Sequence, residues 1–176
     1  MTMKRMNLKV LLFAAIAFAS IGTANAQNTQ NIDITAIVPS VCIFDISSET
    51  IMTFNMSNLG VVGNPDDFDA STVLAWRCSA GFNANISIGT GGSGDQTARE
   101  LDDAGTPLSY NLYTDITYGT VWGDGAGGTA RVAANGTGMA VANIGTTDVY
   151  GRIPLAAAEA AAPGTYTDQV LVTVVF

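Results

Sequence analysis

The thirteen residues GTYTDQVLVTVVF at the end of the sequence constrain the fold more than any other stretch. Val170, Val172, Val174 and Phe176 recur with period two, so an extended backbone turns all four to one face of a strand. Residues 170–176 combine high β-propensity with no charge and no proline, and a strand of that kind templates aggregation if its edge stays open. The sequence supplies no following turn and partner strand, so the expectation is that something else covers it.

The opening residues read as a processing signal. Lys4, Arg5 and Lys9 give a basic start, residues 10–21 an apolar stretch, and Ala24-Asn25-Ala26 a small-residue cleavage pattern. Residues 1–26 are therefore expected to be a signal peptide, with a mature chain of 150 residues, enough for one domain with a real core. The apolar stretch is about half the roughly 20 residues a membrane span needs, and no later stretch resembles one, so the product is not expected to be membrane-embedded.

Charge and residue usage exclude several functions. From Gln27 onward, Arg77, Arg99, Arg131 and Arg152 stand against fifteen acids, a net charge of −11, which makes nucleic acid and anionic membranes poor partners. That portion has no lysine and no histidine, which removes a Schiff-base lysine, a histidine base and a histidine metal ligand. The acid-rich loop with Asp66, Asp67 and Asp69 matches no calcium-ligand spacing and reads as solvated, as do Asp102 and Asp103. The glycine-rich runs at residues 89–94 and 123–128 lack the lysine and helix of a phosphate loop and read as connections. Neither an enzyme nor a metal or other cofactor is expected.

Cys42 and Cys78, the only cysteines, lie in the exported portion, where an oxidising destination predicts one disulfide. Ahead of them, Ile32, Ile34, Ala36 and Val38 alternate with Asn31, Asp33, Thr35 and Ile37 and predict a strand, which Pro39-Ser40 cuts off from the rest. Residues 27–40 are thus expected to form a detachable arm and residues 41–176 the domain. Short alternating segments follow around residues 72–78, 84–88, 107–114 and 147–153, the pattern of an all-β sandwich. The one helix candidate is residues 155–162, LAAAEAAA between two prolines, readable either as a two-turn helix or as a small-residue connection.

LSYNLYTD, TVWGDG, VYGRIP and PGTYTDQVLVTVVF, starting at Leu108, Thr120, Val149 and Pro163, together resemble the spore coat protein U domain, the module of archaic, Csu-type chaperone-usher pilins. The arm and the two cysteines stand in that family's order. The resemblance implies an incomplete immunoglobulin-like β-sandwich that lacks its final strand and is completed by a donor strand from a neighbouring subunit. It further implies export through the periplasm to the cell surface, a periplasmic chaperone, an outer-membrane usher, and polymerisation with copies of itself or other pilus subunits in adhesion and biofilm formation. Carried onto this chain, Ile32, Ile34, Ala36 and Val38 would be the inserted side chains. Val170, Val172, Val174 and Phe176 would form the acceptor groove that also serves as the chaperone-binding strand, with the Phe176 carboxylate anchoring the chaperone. Two alternatives stand beside this expectation. One is a self-complete secreted sandwich that binds a carbohydrate or protein at its glycine-rich loops through Trp122, Tyr113 and Tyr118. The other is a spore or cell-surface coat protein using the same domain.

Overall fold

The computed structural model describes residues 28–62 and 66–176; the signal peptide expected over residues 1–26 lies outside them. The chain divides into two units, Met1–Ala36 and Ile37–Phe176. In the first, residues 28–36 belong to no strand, and Ile32 and Ile34 are 81% and 89% exposed. The alternation over residues 31–38 therefore carries no ladder among the described residues. An apolar period of two marks a strand only where a partner edge meets it.

The second unit is a sandwich of antiparallel strands. In chain order it contains β1 (Cys42–Phe44), β2 (Phe68–Cys78), β3 (Asn83–Ile88), β4 (Arg99–Asp103), β5 (Thr106–Tyr113), β6 (Val132–Asn135), β7 (Gly145–Ile153), α1 (Leu155–Ala160) and β8 (Val172–Val175). One sheet has the order β1-β2-β7-β5-β4 and the other β6-β3-β8. Alternation explains the facing: Thr72, Leu74, Trp76 and Cys78 of β2 and Val149, Gly151 and Ile153 of β7 turn inward and are buried, opposite Ala84, Ile86 and Ile88 of β3. The backbone of β7 is small at two inner positions. A Cβ on Gly145 would meet the Trp76 ring at 2.7 Å, so that glycine lets the indole lie flat on the strand. Cys42 pairs directly with Cys78 across β1 and β2, and the two form the expected disulfide.

Two strands without clear alternation complete the sheets. β4 reads RELDD, four charges in five residues, and joins β5 through the two-residue turn Ala104-Gly105, with φ of 50° and 90°. Both positive values are those of a type I′ hairpin turn, here with alanine where asparagine or aspartate is usual. β6, VAAN, is short and small-sided. The architecture is an all-β, incomplete immunoglobulin-like sandwich: β8 pairs with β3 on one side and has no strand on the other among the described residues.

Candidate strand-acceptor groove

β8 reaches its edge position by a crossing. Thr167 pairs with Asp102 on the rim of the five-stranded sheet, through bonds of 2.9 and 3.0 Å, and four residues later Leu171 accepts from Gly89 N–H on the other sheet. Asp168 holds the crossing point. It accepts hydrogen bonds from Gly92 N–H at 2.9 Å, Gln169 N–H at 2.8 Å and the Tyr110 hydroxyl at 2.6 Å. Burial, aided by this carboxylate, pushes the Tyr110 hydroxyl well above its ordinary range, so it stays a donor.

Beneath the crossing lies Arg99, wholly buried at the start of β4. Its guanidinium donates to Gly89 O, Ile88 O, Gln96 O, Trp122 O and Asn111 Oδ1, at 2.6 to 3.2 Å. Asn111 in turn donates to Thr97 O, and Trp122 Nε1 to Ile86 O. The YNLYTD and VWGD segments thus form one polar clamp inside the sandwich, and the loop at residues 89–94 is fastened by it. Trp122 has no exposed surface, so it packs in the core and offers no stacking platform to a ligand. Tyr113 and Tyr118 are half-buried and meet edge to face at 5.4 Å.

On the side where β8 is unpaired, an apolar groove of about 530 Å³ opens between the sheets. Its β8 side is made by Val170 and Val172, its floor by Leu74, Ile88, Leu112 and Val149, and its far wall by Phe44, Met52 and Phe54. Sequence reasoning missed that far wall. Residues 50–56, TIMTFNM, alternate between exposed and half-buried, with Met52, Phe54 and Met56 turned to the core. Yet among the described residues the backbone of residues 50–55 makes no hydrogen bond. Period two in this stretch is a usable signal, hidden by polar threonines and asparagine. Among the described residues the groove therefore lies between two edges whose outward hydrogen-bonding groups are unmet, against the rule that backbone groups near a core find partners.

Val170, Val172 and Val174 point into the core and stay half-buried, whereas Ile86 and Ile88 on the neighbouring strand are 0% and 1% exposed. A further strand beside β8 would close that difference. Phe176 departs from this row: it is 78% exposed and stacks edge to face on Phe82 at 5.3 Å. Val170 precedes the strand proper, which begins at Val172.

The acid-rich loop has a structural role. Arg152 of β7 forms a two-pronged pair with Asp69 at 2.7 and 2.9 Å, approaches Asp67 at 3.4 Å and covers the Tyr118 ring at 3.5 Å. Asp67 also accepts from Leu155 N–H at the start of α1. Among the described residues no group of three histidines, cysteines or acids is set to hold a metal ion. The Arg152 hydrogen bonds hold the Asp69 carboxyl below its ordinary range. A carboxyl depressed in the folded state adds stability above its unfolded value near 3.9, and that stability is lost as pH falls through the folded value. Asp69→Asn is accordingly expected to lower the urea midpoint at pH 7, with a deficit that shrinks as pH falls below the unfolded value of about 3.9. An equal deficit at neutral and acid pH would locate the effect in packing instead.

The profile of the Spore Coat Protein U domain matches residues 28–173. No curated protein matches the chain. Among solved structures, the CsuC–CsuE chaperone–tip adhesion subunit pre-assembly complex, from archaic chaperone-usher Csu pili of Acinetobacter baumannii, contains a chain with the same fold. The TM-score is 0.53 at 20% identity, over 79% of this chain and 40% of that one. This chain thus spans less than half the length of that protein. Arm, paired cysteines, polar clamp and open edge all fall inside the matched stretch or at its boundary, and the chain belongs to the Spore Coat Protein U domain family.

Proposed function

We propose that the protein is a structural subunit, shaft or adaptor, of an archaic chaperone-usher pilus, and that it polymerises when the arm of one copy fills the groove of the next. One observation carries this reading: an apolar groove between two unmet strand edges occurs in a chain that also carries an apolar, unladdered arm. Strand addition answers both needs, since it supplies backbone partners and side chains together, and complementation between chaperones and pilins is itself an instance of this mode of recognition. Residues 31–38, eight in extended form, span about 26 Å, more than β8 requires. Three large aliphatic side chains entering an apolar groove contribute roughly 5 to 9 kcal/mol before association costs. A contact of arm with groove is heterologous and does not close, so repetition yields a filament. The groove is filled before assembly by a periplasmic chaperone, the subunit passes through an outer-membrane usher, and the fibre serves adhesion and biofilm formation at the cell surface. Val170 and Val172 form its β8 wall, with Val174 next along the same strand.

The test is Ile34→Asp. A carboxylate carried into the groove would have to be desolvated without a partner, which no register tolerates. The variant should be exported and disulfide-bonded yet form no polymers in electron microscopy. Normal fibres would overturn the reading.

A further inference from the structure

The inner face of the five-stranded sheet has one shallow row. Register places Ala70, Gly151 and Leu112 side by side on β2, β7 and β5, two of them nearly without a side chain. The rows on either side carry Val149 and Ile153, both bulky and buried. The hollow over Gly151 is filled from the groove's far wall. A Cβ on Gly151 would lie 2.5 Å from Met52 Sδ and 2.8 Å from Phe54 Cζ, so both side chains rest directly on the glycine backbone. Phe54 continues from there onto Tyr110, with ring centroids 6.2 Å apart.

We propose that Gly151, with the Met52–Phe54 pair it admits, sets the side-chain size the groove accepts at this row, and that Ala36 is the arm residue seated there. This rests on the strand-addition reading above. An inserted strand presents one inward side chain about every 6.6 Å, roughly one per row of the floor. The inward face of the arm is fixed by chemistry, because the opposite face would carry Asp33 into an apolar groove. The inward set is then Ile32, Ile34, Ala36 and Val38, with a single small member. Where the floor is already filled by the wall's own side chains, only a small residue fits. Where it is not, branched aliphatic ones do.

The experiment compares polymer yield of full-length exported chains, by size exclusion and electron microscopy. Ala36→Leu overpacks the row, and yield should fall about ten- to a hundredfold. Adding Met52→Ala should restore it to within about twofold of the original, and the milder Met52→Val should restore it in part. Gly151→Ala with the natural arm should reproduce the loss by forcing Met52 toward the groove, and Met52→Ala should again relieve it. A general folding defect does not produce such size-for-size rescue. Ala36→Leu polymers at wild-type yield, or failure of both Met52 substitutions to rescue either variant, would overturn the proposal while Ile34→Asp remained inactive. Polymers from Ile34→Asp would instead remove the strand-addition reading beneath it.

Discussion

Replacement of Arg99 by methionine is expected to leave little or no disulfide-bonded, folded protein in the exported fraction. The guanidinium is fully buried and satisfies four carbonyls and the Asn111 side-chain oxygen, from four separate parts of the chain. No carboxylate among the described residues lies within ion-pair distance of it, so what it supplies is a fixed fan of donors. Desolvation lowers its pKa from a very high starting point, which leaves it charged throughout the accessible range. Methionine matches the volume and strands the acceptors. Each buried acceptor left unmet costs about 1 to 3 kcal/mol, so several together rival the about 5 to 15 kcal/mol that holds a whole domain folded. Arg99→Lys should fail nearly as badly, because one ammonium cannot reach acceptors spread across a planar fork. Yield and urea midpoint of the purified variants decide the matter; a methionine variant with the wild-type midpoint would refute this account of the clamp.

The second large effect runs in the opposite direction. A chain whose arm is moved from its start to follow Phe176, through a short glycine-containing turn, should be a monomer with a markedly raised melting temperature. The turn brings the arm antiparallel to β8, where a hairpin connection suffices. Insertion is then intramolecular, so the association cost of a neighbour disappears. If about 3 to 5 kcal/mol of the apolar gain survives the ordering of the arm, the shift is roughly 10 to 20 °C for a domain of this size. Calorimetry and light scattering measure both quantities at once. A relocated arm that leaves the melting temperature where the armless domain has it would mean that the groove does not accept this strand.

What is legible in the sequence follows the regularity of its alternation. β2, β3, β5 and β7 announce themselves by period two, and their ends differ from expectation by a few residues; the extra residues of β2, Phe68 to Ser71, extend its ladder with β7 as far as Ile153. α1 is marked by alanine between prolines. β4 is not marked, because a charged edge strand has no apolar face to display, and its turn uses Ala104 at positive φ in place of the usual signal. The far wall of the groove escapes for another reason: without a ladder, residues 50–56 are a strand in side-chain facing alone. Arg99 carries no local mark of burial, since its acceptors come from Gly89, Gln96, Asn111 and Trp122, whose convergence is a property of the fold. The cysteine pair is legible because a sequence with two cysteines leaves one pairing.

That same disulfide fixes how tension would enter the domain. The arm joins at Pro39, three residues before Cys42, and β1 beyond it holds β2 through only three paired residues. A pull on the arm arrives at Cys42 and is handed across a covalent bond to Cys78, at the end of the longest strand. A pull directed along β2 would then load its nine-residue pairing with β7 in shear, where many hydrogen bonds must fail together. Without the sulfur link the same pull would peel β1 away one bond at a time.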